Sequence, residues 1–392
     1  LDGIGAMIQE GMTHEGMVRS PVIGIVGSEG AYGRWLRRFF EERMQLRVLG
    51  HDPASPDGDL LERLLSEADV LLFAAPIRST AAIIGDALRQ SAGREHGRLW
   101  LDITSIKREP VAAMLQSQAE VVGLHPMTAP PKAPTLKGKV LVICEARLDV
   151  WRDWLSVLLS ALQAECVRVA PDYHDRAMAL IQAMVHATHL AEAGVLRSHA
   201  QQLGPPSALL PLRSASFELD VAVITRILSL NPQIYEDIQF GNPYALEMLD
   251  SLVGELSALR ELIAQGDDVA RAGFRARFLQ DNRDHFDPGT LADSNHTFER
   301  VGYLLADLVE RVSISVHLPE DRPGALRALL EVFERHGVSL SSIHSSRTPA
   351  GEVHFRIGFE AGLDAEVFAA AVREIDAGRI GRVLAAPVMP PQ

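Results

Sequence analysis

Four short stretches carry residues with chemistry to offer, and neither cysteine stands at a nucleophile or metal-ligand spacing. The first is Asp102-Ile-Thr-Ser105-Ile-Lys107. Ser105 there can hydrogen-bond a substrate or a neighbouring histidine, while Thr104 or Ser105 can equally well cap a helix. The second, Gly123-Leu-His125-Pro126-Met127, fixes a histidine before a proline at a strand end, an odd choice for packing and a natural one for function. The third is Ile181-Gln-Ala-Met-Val-His186-Ala-Thr-His189, whose apolar neighbours predict a helix buried on more than one side. A buried imidazole resists protonation, so His186 can stay neutral and accept a proton near neutral pH, with His189 as its competitor. In the fourth, Arg226 interrupts the apolar run Val221-Ala-Val-Ile-Thr-Arg-Ile-Leu. Its guanidinium wants a carboxylate, either from a ligand or from Asp220 or Glu236. Serine, histidine and arginine without a thiol or metal suit hydride chemistry better than hydrolysis, because a cofactor then carries the redox step.

A place for such a cofactor lies upstream, in Val22-Ile-Gly-Ile-Val-Gly27-Ser-Glu-Gly30-Ala31-Tyr32-Gly33. Apolar strand, glycine turn and helix follow one another, the order of a dinucleotide-binding opening. Glycines let the backbone approach a pyrophosphate, and the helix N-terminus offers free amides and partial positive charge. Asp52 follows Gly33 by nineteen residues, after a second strand-like run. An acid there accepts hydrogen bonds from an adenosine ribose and favours NAD over its 2′-phosphorylated form. Gly27, Gly30, Ala31, Tyr32, Gly33 and Asp52 are therefore the candidate cofactor contacts.

The elements that must position these residues fall into three patterns. Residues 1–20 lack periodicity and read as a flexible leader. Over residues 21–169, short apolar runs at 70–75, 99–103, 121–124, 140–143 and 166–169 alternate with helical periodicity, which predicts a Rossmann-type α/β domain with a sheet covered on both faces. Ligands of such sheets sit outside the carboxyl ends of the strands, where Ser105 and His125 fall. Residues 170–311 read as an all-α domain, with Leu230-Asn-Pro232 and Gly241-Asn-Pro243 punctuating its helices. From Val312 to Gln392 a βαββα order, with a last strand near 380–384, predicts an α+β ferredoxin-like module.

Composition narrows the function further. A chain of 392 residues with 47% hydrophobic content builds more than one packed domain. A net charge of −13 argues against general nucleic-acid binding, which needs a basic face. Cys144 and Cys166 read as buried thiols and form no disulfide framework or metal spacing, and no run approaches a membrane span, so a cytoplasmic protein is expected.

Taken in order, these motifs resemble the prephenate dehydrogenases that carry a C-terminal ACT domain. The resemblance implies NAD-dependent oxidative decarboxylation of prephenate to 4-hydroxyphenylpyruvate in tyrosine biosynthesis, by a homodimer. It casts His186 as the base for the ring hydroxyl, Ser105 as the residue that orients it, Arg226 as the clamp on a substrate carboxylate, and His125 as lining the site near the nicotinamide. Arogenate dehydrogenase is the nearest alternative, and a non-catalytic amino-acid sensor with a relict Rossmann domain is one from another class. A β-hydroxyacid dehydrogenase would present a catalytic lysine, which none of these motifs offers. The tail stretches Arg322-Pro-Gly324-Ala325-Leu326 and Ile343-His-Ser345-Ser-Arg347 resemble the ligand-binding turn and strand of ACT domains. Feedback control by tyrosine or phenylalanine is what that likeness implies, with a purely dimer-forming module as the alternative.

Overall fold

Short apolar runs make the central strands of the first sheet, and their alternate side chains enter two separate cores. The computed structural model describes residues 20–55, 59–291, 294, 298, 301, 313–318, 323–347, 353–359, 363–377 and 380–385. The expected leader, apart from Ser20, and Arg322 of the tail lie outside them. The chain divides into two compact units between Gly266 and Asp267.

In the first unit the strands are β1 (Ile23–Val26), β2 (Val48–His51), β3 (Val70–Phe73), β4 (Leu99–Asp102), β5 (Glu120–Pro126), β6 (Val140–Arg147) and β7 (Glu165–Arg168). Between them run α1 (Ala31–Arg38), α2 (Leu61–Glu67), α3 (Ile77–Ser91), α4 (Arg108–Met114) and α5 (Arg152–Leu162). The sheet order is β2-β1-β3-β4-β5-β6-β7. All neighbours are parallel except β5 and β6, which pair antiparallel. Ile23, Ile25, Leu72 and Leu101 pack on one face against Trp35, Phe39, Leu155 and Leu158 of α1 and α5. Leu71, Phe73 and Trp100 pack on the other against Leu64, Ile84, Val111 and Met114. Both faces are covered, as the uninterrupted apolar strands predict. Cys144 is buried, whereas Cys166 is only half-buried, because β7 is an edge strand with one neighbour.

Helices then take over: α6 (Pro171–Met178), a π-helical stretch (Ala179–Met184), α7 (Val185–Ser198), α8 (Ala215–Ser229), α9 (Pro232–Gly241) and α10 (Ala245–Gln265). They dock on the first turn of α3 through a small core of Ala183, Ile238 and Ala245 with Ile77, and through Arg78, which pairs with both Glu236 and Asp237. The predicted burial of the His186 helix on several sides is corrected here. None of the residues of α7 is fully buried, and Ile181, Val185, Leu190 and Val195 all show apolar surface.

The second unit contains α11 (Asp268–Phe274) and a four-stranded antiparallel sheet. Its elements are β8 (Ser313–Leu318), α12 (Ala325–Arg335), β9 (Leu340–Arg347), β10 (Val353–Phe359), α13 (Ala365–Ala377) and β11 (Arg382–Ala385), in sheet order β11-β8-β10-β9. Leu329, Val332, Phe333, Phe368 and Ala371 from its two helices cover one face of that sheet. This is the βαββαβ layout expected from the sequence. Among the described residues no helix is long and apolar enough to cross a membrane.

Candidate active site

The glycine turn is built for close approach. Gly27 has φ +86°, and a Cβ there would meet the Ala74 carbonyl oxygen at 2.7 Å. A Cβ on Gly33 would lie 2.1 Å from the Gly27 oxygen, so the first turn of α1 can press on the β1 loop only without a side chain. The first intrahelical bond of α1 runs from Arg34 N to Gly30 O at 2.9 Å, which leaves the preceding amides of Ala31, Tyr32 and Gly33 for an outside acceptor. Asp52, immediately beyond β2, accepts from Glu29 N at 3.0 Å and Ala54 N at 2.9 Å. Each of its oxygens keeps a further lone pair. Ala31 is exposed. Tyr32 spends its hydroxyl on the Thr128 carbonyl and its ring edge on Trp35, so it shapes the wall of the cleft.

At the carboxyl ends of β4 and β5 lies a buried polar cluster. Lys107 and Asp102 are both fully buried and paired, and Lys107 Nζ also donates to the Leu124 carbonyl at 2.7 Å. Burial pulls the Lys107 ammonium below its ordinary pKa, against the opposing pull of Asp102. Thr104 donates to Asp102 Oδ2 at 2.6 Å. Neither Thr104 nor Ser105 caps α4. Asp175 of α6 does so from outside, accepting from Lys107 N at 2.7 Å and Arg108 N at 2.9 Å. Ser105 is thereby left half-buried beside the end of β4, its hydroxyl making no hydrogen bond among the described residues.

His125, 3% exposed, sits next to this cluster on β5. Its Nδ1 lies 2.9 Å from His174 Nε2, and His174 Nδ1 lies 2.7 Å from Asp175 Oδ1. Burial first, then the charges of His174 and Lys107, hold the His125 pKa well below 6.5. Burial also lowers His174, although Asp175 resists the shift. His174, Asp175 and the buried state of Lys107 were not foreseen from the sequence. The one local signal is a His-Asp pair in the first turns of a helix that opens with Pro171.

His186, on the first turn of α7, is half-buried, and its ring packs edge-on against Tyr235 with centroids 4.9 Å apart. Its Nδ1 and the Oε1 of Gln182, one turn earlier, are both enclosed without hydrogen-bond partners. Burial first, then the nearby His189 charge, lowers the His186 pKa. Burial raises Tyr235, and the Arg226 charge pulls it part of the way back, which ties Arg226 to the same patch. The two carboxylates considered as internal partners of Arg226 are engaged elsewhere: Asp220 lies 3.6 Å from His189, and Glu236 lies 3.2 Å from Arg78. Exposed Arg226 makes no ion pair among the described residues. The expected Ser105–His186 hydrogen bond is not formed. Ser105 belongs with His125 at the sheet edge, because β4 and β5 are parallel neighbours.

In the second unit Gly324 takes φ +93° at the start of α12, with Ala325 half-buried and Leu326 38% exposed in its first turn. Ser345 is exposed on β9, and the Arg347 side chain lies outside the described residues.

Residues 170–274 match the family model described as prephenate dehydrogenase, dimerization domain, and residues 312–377 match that of the ACT domain. A protein of Methanocaldococcus jannaschii named "Probable arogenate/prephenate dehydrogenase" is 25% identical over 283 residues, covering 67% of this chain and 60% of the relative. The T-protein of Enterobacter agglomerans is 29% identical over 260 residues, covering 64% of each. This chain therefore spans a little under two thirds of the length of these relatives. The crystal structure of prephenate dehydrogenase from A. aeolicus, solved with hydroxyphenyl propionate and NAD+, superposes with a TM-score of 0.53 at 16% identity, over 69% of this chain and 100% of that one, a likeness of fold. With a match to a prephenate dehydrogenase dimerisation domain, a match to an ACT domain and these relatives, the chain is similar to the prephenate and arogenate dehydrogenases.

Proposed function

We propose that the protein catalyses NAD-dependent oxidative decarboxylation of prephenate to 4-hydroxyphenylpyruvate, in tyrosine biosynthesis. The carrying observation is that a side-chain-free dinucleotide cradle and a histidine held neutral by its surroundings open on the same carboxyl edge of one sheet. The amides of Ala31 to Gly33 would hold the pyrophosphate, and Asp52 would take the adenosine ribose. Bound there, the nicotinamide supplies a hydride acceptor for C4 of the ring.

His125 has the stronger geometric claim to be the base. Its Nδ1 is anchored while its Nε2 makes no hydrogen bond among the described residues and is not wholly enclosed, so Nε2 is the atom that takes the proton of the ring hydroxyl. Ser105 orients that hydroxyl. As the C4–H pair leaves as hydride and the oxygen passes through a carbonyl, the C1–carboxylate bond breaks, carbon dioxide departs and its electron pair makes the ring aromatic, the resulting phenolate oxygen taking the proton back from His125. Arg226 pairs with a substrate carboxylate, and His186 with Gln182 receives a polar group of the substrate side chain. This reverses the roles first expected for the two histidines.

A second reading, arogenate as substrate, is favoured by one observation. Gln182 Oε1 and His186 Nδ1 are unsatisfied on one helix face, and an ammonium group would donate to both. NADH formation by the purified protein with NAD, measured in parallel on prephenate and arogenate, separates the two. Turnover of neither, with NAD bound, removes the function and leaves the architecture.

The exposed apolar surface of α7, α8 and α10, including Val195, Leu228 and Val253, suits burial against a second copy, in line with a homodimer. Tyrosine or phenylalanine would be the effector at the turn of Gly324 to Leu326 and on β9.

A further inference from the structure

A carboxylate can only accept hydrogen bonds, whereas a neutral imidazole has one donor nitrogen and one acceptor nitrogen. Asp175 already receives the amides of Lys107 and Arg108, so it sits as a carboxylate and its Oδ1 requires a proton on His174 Nδ1. His174 Nε2 is then a lone pair, and the 2.9 Å contact to His125 closes only if His125 Nδ1 carries the hydrogen. Two hydrogen bonds thus dictate where the proton of a third residue sits.

We infer that His174, backed by Asp175, is a positioning residue that locks His125 in the Nδ1–H tautomer and leaves its Nε2 as a lone pair facing the cleft. The inference rests on the reading of His125 as the base. It goes beyond that reading by assigning a function to two residues that touch neither substrate nor cofactor. The lock also crosses two layers of the first unit, because His125 belongs to β5 and His174 with Asp175 to α6. Asn242 Nδ2 fixes that end of α6 by donating to the Asp175 carbonyl at 2.8 Å.

The test compares two substitutions of one side chain in the full chain. His174→Gln keeps an oxygen near the Nε2 position that can accept from His125, and His174→Phe keeps the ring shape without an acceptor. With 15N-labelled histidine, long-range 15N–1H correlation spectra report the tautomer directly, and the His125 signals are identified by their loss in His125→Asn. The expected result is an Nδ1–H His125 in the wild type and in His174→Gln, and a shift toward Nε2–H in His174→Phe. Alongside it, kcat should fall by about 10–100-fold in His174→Phe at little change in KM, with much of the rate restored in His174→Gln. An Nε2–H His125 in the wild type overturns the inference whether or not the variants fold. So does a His174→Phe protein with an unchanged tautomer. Because the spectrum needs no turnover, an Nδ1–H wild-type protein that oxidises neither prephenate nor arogenate would overturn the function and not the lock.

Discussion

His125 Nδ1 and His174 Nε2 lie 2.9 Å apart, joining a strand end to a helix 49 residues later. Two imidazoles this close and this buried are compatible with at most one positive charge, and the surroundings favour none. Lys107 adds a nearby cation, while Asp175 and Asp102 supply the opposing charges.

That relationship fixes a pH dependence. Both histidines have folded pKa values below 6.5, so the unfolded chain binds protons first as pH falls. Their contribution to stability is present above the unfolded pKa and is lost as pH drops from 6.5 toward the folded values. Each histidine can contribute a slope of up to about 1.4 kcal/mol per pH unit in that window. Denaturant titrations across it should show falling stability on acidification, with a shallower fall in His174→Gln. If His125 is the base as proposed, its lowered pKa places the acid limb of kcat below 6.5.

The two candidate histidines, His125 and His186, should separate kinetically. His125→Asn would remove the proposed proton acceptor and is expected to lower kcat by about 10²–10⁴-fold while NAD affinity holds. His186→Asn should act mainly on KM. So should Arg226→Ala, by about 10–100-fold, the range of a charge-assisted hydrogen bond of roughly 1.5–3 kcal/mol. Steady-state kinetics with fluorescence titration of NAD checks all three. A kcat collapse confined to His186→Asn would return the base to α7.

Lys107→Met is a stability prediction. It leaves Asp102 as an unpaired buried carboxylate and frees the Leu124 carbonyl, which costs about 3–5 kcal/mol. Chemical denaturation should show that loss, and the double variant Asp102→Leu with Lys107→Met should recover part of it.

Much of this was legible in the sequence, and the limits have physical causes. The central strands β1, β3 and β4 announce themselves because, covered on both faces, they are apolar almost throughout, whereas the edge strand β7 carries Glu165 and Arg168. Gly27, Asp52, Ser105 and His125 stand at strand ends, where the one-dimensional order already marks the ligand edge. Lys107 was harder, because a lysine after a strand reads as solvated unless its buried carboxylate is known. Asp-Tyr-His-Asp-Arg in the first turns of α6 reads as a polar surface, and only the tertiary fold turns His174 and Asp175 inward. The misjudged burial of α7 has a related origin, since an apolar helix looks the same in sequence whether its own chain or a second copy covers it.

The capping of α4 by Asp175 carries a last consequence. The amides of Lys107 and Arg108 find their acceptor in a helix that begins after the sheet is complete. A fragment ending at Val169 would hold all seven strands and still leave that helix start, and the Nδ1 of His125, without partners. The nucleotide domain is thus a complete architectural unit but an incomplete cooperative one. The carboxyl edge of its sheet, where His125 and the start of α4 lie, should be the last part to gain protection from hydrogen exchange, and the first to lose it when α6 lifts away.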